Sequence, residues 1–193
     1  MKKLIVLTVL LMFCISLFSD EIDLYQGKGS NESGKTIDFK ITYDIQKKQM
    51  MIYVNETKFI YVFIYKNGDL IAAIDKTIEW DKIANDNKVA TLKKDIAEFK
   101  NTAGLFKHGK EWHTIFEIRS SFTFSRNSGK TTFLITANKF VATDNTNLIT
   151  DYPNLFIPVD ILPEVKRSII DEVISVKVTQ YENEKGKNDK LFK

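Results

Sequence analysis

Cysteine is almost absent from this chain, which has one, Cys14, among 193 residues. Because a disulfide within one chain needs two cysteines, a disulfide-stapled scaffold is excluded. Proline and glycine are also scarce, with 3 and 8 residues, which excludes collagen-like and Pro/Gly-rich low-complexity chains. The apolar fraction of 44% and the charged fraction of 27% are ordinary for a globular protein. The length is close to the roughly 100–200 residues of one domain.

Arginine is scarce as well. Of the 28 basic residues only Arg119, Arg126 and Arg167 are arginines, and the others are lysines. The formal net charge is +3, which is too small to create a field that attracts nucleic acid or an anionic membrane. The composition therefore predicts no nucleic-acid partner.

The N-terminus has the pattern of a secretory signal peptide. A short basic region at Lys2 precedes an apolar run from Leu4 to Phe18. The run has about 15 residues, whereas a transmembrane helix needs roughly 20. We predict a signal peptide over residues 1–19, cleaved after Ser19, and a mature chain exported to the periplasm or the exterior of a bacterium.

Cys14 leaves an alternative open. Leu11 to Cys14 resembles a lipobox, in which the thiol would carry the acyl chain and anchor a surface lipoprotein in the membrane. Phe13 argues against this interpretation, because a small residue is usual at that position. If cleavage follows Ser19, Cys14 is removed with the leader and the mature chain has no thiol for catalysis.

Strands are predicted where apolar and polar residues alternate or where β-branched and aromatic residues are enriched. The clearest is residues 36–45, in which five apolar residues from Ile37 to Ile45 alternate with polar ones. The same criteria predict strands over residues 50–54, 58–65, 114–124, 131–141, 155–158 and 174–178. The pair 114–124 and 131–141 flanks a polar loop, residues 125–130, and predicts a hairpin. Pro158 predicts that 155–158 is an edge strand.

Helical spacing predicts up to three helices. Apolar residues recur every three or four positions over residues 69–85, although Asn67 and Gly68 form a common turn signal. A second helix is predicted within residues 88–110 and a third over residues 160–173.

These elements predict a single α+β domain over residues 36–180, mainly an antiparallel sheet with two or three helices packed on one face. Residues 20–35 are rich in glycine, serine and charge, and predict a flexible lead-in with at most one short strand, around residues 22–25. Residues 181–193 are highly charged and predict a disordered tail.

Residues Gly29 to Thr36 read GSNESGKT and satisfy the P-loop pattern G-x-x-x-x-G-K-[ST]. A working P-loop joins a buried strand to a helix, whose N-terminus and backbone N–H groups hold the phosphates. Here the string precedes a predicted strand and follows closely after a predicted leader. We therefore predict a polar linker that binds neither ATP nor another nucleotide.

Candidate ligand contacts cluster in one predicted loop. Trp112 stands beside His113 and close to Lys110, and could present an exposed ring to a glycan, a peptide or a lipid headgroup. Anchoring of the loop on the core is the alternative role for this tryptophan. His108 and His113 supply at most two ligands, whereas a zinc site generally uses three or four, so no metal or cofactor is predicted.

The sequence thus predicts an exported, non-enzymatic binding or structural module of a bacterial envelope or its surroundings. An envelope protein, a glycan or a lipid are the partners that this interpretation allows. Two alternatives stay open: a lipoprotein anchored through Cys14, and an envelope hydrolase whose acid and base residues come together only in the fold.

Overall fold

The computed structural model describes residues 20–101, 104–115 and 117–191. The predicted signal peptide, with the possible lipidation site Cys14, lies outside the described residues. Within them, the chain forms a single α+β domain with one curled antiparallel sheet of ten strands and three helices. The predicted fold class is confirmed at this level.

The strands, in chain order, are β1 (Glu21–Ser30), β2 (Thr36–Asp44), β3 (Gln49–Asn55), β4 (Phe59–Tyr65), β5 (Leu92–Asn101), β6 (Gly104–His108), β7 (Glu111–Ile115), β8 (Ile118–Asn127), β9 (Lys130–Ala137) and β10 (Asn154–Pro158). The helices are α1 (Asn67–Asp86), α2 (Leu162–Ser168) and α3 (Asp171–Leu191), and a 3-10 turn, Val159–Ile161, precedes α2. The strand order across the sheet is β5-β8-β9-β10-β1-β2-β3-β4-β6-β7, so β5 and β7 are the edge strands.

The sheet curls until strands from opposite ends of this order approach each other. The ring of Tyr65 on β4 lies 5.2 Å from that of Phe99 on β5 and 4.5 Å from that of Phe122 on β8, measured between centroids. Gly104, at the start of β6, permits the approach of β6 to β8, because a Cβ there would overlap the Ile118 side chain. The curl gives the sheet an inner face, which encloses the core, and an outer face.

Side chains alternate between these two faces, as strand geometry requires. On the inner face, Phe39, Ile52 and Phe133 are almost completely buried. The helices add apolar residues to the same core, among them Ile74 of α1 and Val165 of α2. Burial of an aliphatic or aromatic side chain contributes about 1.5–3 kcal/mol, so this core holds the helices on the inner face.

Several predicted elements are confirmed. Strands β2, β3 and β4 coincide with the first three predicted strands, and α1 coincides with the first predicted helix. Strands β8 and β9 form the predicted hairpin. Their loop is shorter than predicted, because β8 continues to Asn127 and includes Arg126, which is buried.

The prediction of a flexible lead-in over residues 20–35 is wrong. Residues Glu21–Ser30 form β1, which lies inside the sheet between β10 and β2. The alternation of apolar and polar residues is hard to recognise in β1, because glycines stand where side chains would show it. Gly27 and Gly29 occupy positions with no room for a side chain. A Cβ on Gly29 would lie 2.6 Å from the carbonyl oxygen of Phe156, and contacts that short force a shift of the backbone.

The helix predicted within residues 88–110 is also wrong, since β5 and β6 occupy most of that segment. A bulge between Asp95 and Ala97 shifts the alternation of β5 by one residue. The interrupted period resembles neither a regular strand nor a helix. The predicted strand 114–124 is likewise two elements, the end of β7 and the start of β8.

The C-terminal predictions need a similar correction. The predicted helix over residues 160–173 is divided among the 3-10 turn, α2 and the start of α3. Helix α3 also replaces the strand predicted over 174–178 and the predicted disordered tail as far as Leu191. Its Tyr181 hydroxyl and Lys185 Nζ donate hydrogen bonds of 2.7 and 2.6 Å to the carboxylate of Asp20. These contacts attach α3 to the start of β1.

Strand β10 confirms the strand predicted over residues 155–158 but not its place at an edge. It lies between β9 and β1. Pro158 is its last residue and faces Thr132 of β9. At the end of a strand, the missing N–H of proline removes little from the ladder.

Candidate functional site

The P-loop-like string, Gly29 to Thr36, is the turn of a β-hairpin. It joins β1 to β2, and both of its ends belong to the sheet. Asn31 N donates to Lys35 O at 3.0 Å, and Gly34, with φ of 78°, donates its N–H to Asn31 O at 2.9 Å. A strand follows where a P-loop requires a helix, so this segment lacks the helix N-terminus that would hold phosphate. It is an ordered turn and not the predicted linker.

Of the three candidate residues Lys110, Trp112 and His113, the last two lie on opposite faces of the sheet. Lys110 is exposed in the turn between β6 and β7, and Trp112 and His113 are neighbours on β7. Successive residues of a strand point to opposite faces. Trp112 therefore lies half-buried on the outer face, and His113 lies buried on the inner face.

His113 has partners inside the fold. Its Nδ1 lies 3.1 and 3.2 Å from the two carboxylate oxygens of Asp144, and its ring stacks on Phe106 at a centroid distance of 5.2 Å. The hydrogen bond from His113 holds the pKa of Asp144 below its usual value. Next to this pair, Thr143 N donates to Thr114 O at 2.9 Å. The histidine thus fastens the loop after β9 to strand β7.

Trp112 belongs to a row of outer-face residues that crosses six strands. Each member is the register partner of the next member on the neighbouring strand. In order from β1 to β7 the row is Lys28, Asp38, Asn55, Ile60, Lys107 and Trp112. A second row, two residues further along the strands, begins with Gln26, Lys40 and Tyr53. The side chains of both rows surround a shallow groove.

We name this depression the Trp112 groove. Its volume is about 570 Å³. Its lining residues are Gln26, Gly27, Lys28, Asp38, Phe39, Lys40, Tyr53, Asn55, Ile60 and Trp112. The ring of Trp112 reaches this groove from the edge strand β7, and Lys107 Nζ lies 5.7 Å from the ring centroid. An aromatic ring thus stands at one end of a polar surface.

Four polar side chains of the groove make no hydrogen bond or ion pair with any other residue in the described ranges. They are Gln26, Lys28, Asp38 and Asn55. Lys28 and Asp38 face each other across β1 and β2, yet they are absent from the ion pairs of the described chain. These groups are therefore available to a ligand.

The neighbouring outer-face residues, in contrast, are satisfied among themselves. Glu21 accepts hydrogen bonds from Thr42 Oγ1 at 2.8 Å and from the Tyr53 hydroxyl at 2.9 Å. Burial and the negative charge of Glu21 raise the pKa of Tyr53. Lys40 pairs with Asp23 at 3.1 Å and lies 5.3 Å from the Tyr53 ring centroid. This network fixes one wall of the groove.

Carboxylates are scarce in the lining of the Trp112 groove. Asp38 is the single carboxylate among its described lining residues. Glycoside hydrolysis generally uses two carboxylates separated by about 5–10 Å. Glu21 and Asp23, which lie further along β1, are already engaged by hydroxyl and ammonium donors.

The sequence pattern indicates Trp112 as a ligand contact but does not indicate its partners in the groove. Tyr53 and Asp38 were assigned only to strands. A signal was present, because polar residues at alternate positions of 36–45 must share one face of a sheet. Which strands lie side by side, and in what register, was not available from one sequence.

Within residues 20–101, 104–115 and 117–191, no group of three or more His, Cys, Asp or Glu side chains is arranged to hold a metal ion. Among the helices of this described part of the chain, none combines the length and the apolar character needed to cross a membrane.

In comparisons with known proteins, no family model, no curated protein and no solved structure matches this chain.

Proposed function

We propose that this protein is an exported, non-catalytic binding module that holds a saccharide of a bacterial envelope or its surroundings in the Trp112 groove. The observation that carries the proposal is the combination of two aromatic rings, Trp112 and Tyr53, with four unengaged polar side chains in one groove. Aromatic rings offer a flat apolar surface with a low entropy cost, and amide, carboxylate and ammonium groups fix the orientation of a polar ligand.

The shape of the groove supports a chain-like saccharide. Its main row crosses six strands, and neighbouring strands lie about 4.8 Å apart, so the row spans about 24 Å. A peptide that adds to a sheet must run along an edge strand, whereas this groove runs across the strands. An acyl chain is a poor match, because Ile60 is the single aliphatic side chain among the described lining residues.

Tryptophan fluorescence tests the saccharide proposal directly, because the chain has only two tryptophans, Trp80 and Trp112. In the Trp80→Phe variant, Trp112 is the remaining reporter. We expect titration with the tetramers of N-acetylglucosamine, glucose in β1,4 linkage and glucose in α1,4 linkage to shift the emission for at least one of them. Trp112→Ala should weaken that binding about tenfold or more, measured by calorimetry, because a buried aromatic anchor contributes about 2 kcal/mol.

The matched control is the Trp112→Phe variant, in which Trp80 is the remaining fluorescent reporter. Trp80 belongs to helix α1 and packs edge-on against Phe124 of β8 at a centroid distance of 5.9 Å, so it should not respond to the sugar. Asp38→Asn should weaken binding several-fold without changing the melting temperature, because Asp38 is exposed. If none of the three tetramers changes Trp112 emission, or if Trp112→Ala binds as the parent does, the saccharide proposal fails.

Export is the second part of the proposal and has its own test. It is supported by the basic residue, the short apolar run and the small residue at Ser19 of the N-terminal sequence. We expect the protein purified from its native envelope fraction to begin at Asp20, as read from its intact mass and N-terminal residue. An acylated Cys14 would instead make it a lipoprotein. A chain that starts at Met1 and is found in the cytosol would contradict export.

A further inference from the structure

A second groove lies on the outer face at the other end of the strand order, across β5, β8 and β9. We name it the Arg119 groove. Its volume is about 690 Å³, larger than that of the Trp112 groove. Its outer-face lining residues are Glu98, Lys100, Arg119, Ser121, Thr136, Asn138 and Tyr152.

Two cations face each other in this groove. Arg119 of β8 is the register partner of Lys100 of β5. Like charges directly opposite each other on neighbouring strands are destabilising. The carboxylate of Glu117 offsets part of this repulsion, because it contacts both cations.

Glu117 shows which anion fits. Its Oε1 accepts a hydrogen bond from Arg119 Nε at 3.0 Å and lies 3.5 Å from Lys100 Nζ. The hydrogen bond from Arg119, helped by the charge of Lys100, holds the pKa of Glu117 below its usual value. The two cations thus already accommodate one carboxylate, which the protein supplies itself.

Arg119 keeps further donors for a second carboxylate. Only its Nε is engaged within the described ranges, and its side chain is 73% exposed. The planar guanidinium binds carboxylates in a bidentate manner, with two parallel hydrogen bonds. The two terminal nitrogens of Arg119 are therefore open to a ligand.

The rest of the groove suits a ligand with hydroxyl groups. Ser121 and Thr136 face each other on β8 and β9, and Glu98 faces Ser121 from β5. Asn138 is held in place, because its Oδ1 accepts a hydrogen bond from the backbone N of Arg119. Tyr152, which is 60% exposed, adds an aromatic ring to the lining. Hydroxyl, carboxylate and aromatic groups therefore stand next to the cations.

We infer that the Arg119 groove binds an acidic sugar, whose carboxylate is held by Arg119 and Lys100 and whose hydroxyls are held by Ser121, Thr136 and Glu98. The site is separate from the Trp112 groove, and the two share no lining residue. It does not depend on the function proposed above. A chain with both sites would bind a neutral and an acidic saccharide segment at once.

The test uses the three arginines of the chain, Arg119, Arg126 and Arg167. In the 15N-labelled protein their Nε–Hε groups give three resolvable signals, which the Arg119→Gln variant assigns. Glucuronate is expected to shift the Arg119 signal and leave that of Arg126 unchanged, because Arg126 Nε is bonded to Val89 O at 2.6 Å inside the fold. Glucose, which lacks the carboxylate of glucuronate, is expected to shift neither the Arg119 nor the Arg126 signal.

Two variants give opposite results under this inference. Arg119→Gln should weaken glucuronate binding about tenfold or more, because charge-assisted hydrogen bonds are about twice as strong as neutral ones. Glu117→Gln should strengthen it about two- to fivefold, because the negative charge that repels the ligand carboxylate is removed. Lys130→Gln, at an exposed lysine that begins β9 and lies outside the groove lining, is the control and should change little.

Other outcomes would overturn the inference. They are the absence of a shift at Arg119, equal shifts with glucose and glucuronate, weaker binding by Glu117→Gln, or binding of glucose 6-phosphate in place of glucuronate. Repeating the titration with Trp112→Ala separates the two sites. Glucuronate binding should be unaffected in that variant whether or not the Trp112 groove binds a saccharide.

Discussion

Replacement of Arg126 by alanine is expected to destabilise the fold by about 3–5 kcal/mol, the usual cost of removing one partner of a buried ion pair. The Arg126 side chain is 6% exposed, and its Nη1 donates to Asp81 at 2.9 Å. Alanine would leave that carboxylate, itself only 20% exposed, without its cation. The same change would leave a cavity where the long side chain had been.

The size of this effect follows from how many elements Arg126 joins. From β8, its Nη2 donates to Asn85 of α1 at 2.7 Å and its Nη1 also donates to Thr131 of β9 at 2.9 Å. Its Nε donates to Val89 O in the connection that follows α1, at 2.6 Å. Arg126 therefore ties helix α1 and its connection to the β8–β9 hairpin.

Urea unfolding followed by circular dichroism measures this prediction. Arg126→Lys should recover only part of the loss, because an ammonium keeps the charge but lacks the planar fork of donors. Arg167→Ala is the matched control. Arg167 is exposed on α2, and its loss should cost less than about 0.5 kcal/mol. A loss below about 1 kcal/mol for Arg126→Ala would show that the network does not hold the helix to the sheet.

The buried hydrogen-bond network of Arg126 is a feature that the sequence does not predict. In the sequence Arg126 stands in the polar segment 125–130, which predicts a solvated loop. Its partners Asp81 and Asn85 lie 45 and 41 positions away, and no local pattern connects them. Periodicity is a local signal, so it predicts β2 and α1 but not a buried polar network between distant segments.

The same reason separates the strands that were predicted from those that were missed. Strand β2 has an uninterrupted alternation, whereas glycines replace side chains in β1 and a bulge interrupts β5. For the two grooves, the sequence singles out Trp112 alone. The other lining residues become neighbours only through the strand order, which places β1 beside β2 and β10 and carries β5 to the far edge.

Replacement of Phe122 by alanine is the other substitution with a large expected effect, a loss of about 3–5 kcal/mol. Phe122 is completely buried on β8. Its ring centroid lies 4.5 Å from that of Tyr65 on β4, 4.8 Å from that of Phe99 on β5 and 5.1 Å from that of Phe133 on β9. Each such aromatic pair adds about 0.5–1.5 kcal/mol beyond the buried area.

The Phe122 ring contacts strands from opposite ends of the sheet order. Its loss should therefore loosen the curl of the sheet as well as the packing of the core. We expect Phe122→Ala to lower the urea midpoint and to weaken the near-ultraviolet circular dichroism of the native state, because the rings around it lose their fixed packing. Phe122→Leu, which keeps most of the volume, should cost about 1–1.5 kcal/mol.

Phe156→Ala provides the comparison, because Phe156 is a half-buried phenylalanine of β10 on the outer face. It should cost less than half as much as Phe122→Ala, since it loses less buried area. Equal losses for the two alanine variants would mean that the aromatic cluster contributes nothing beyond ordinary burial. The curl would then have to be held by the backbone connections and the helices instead.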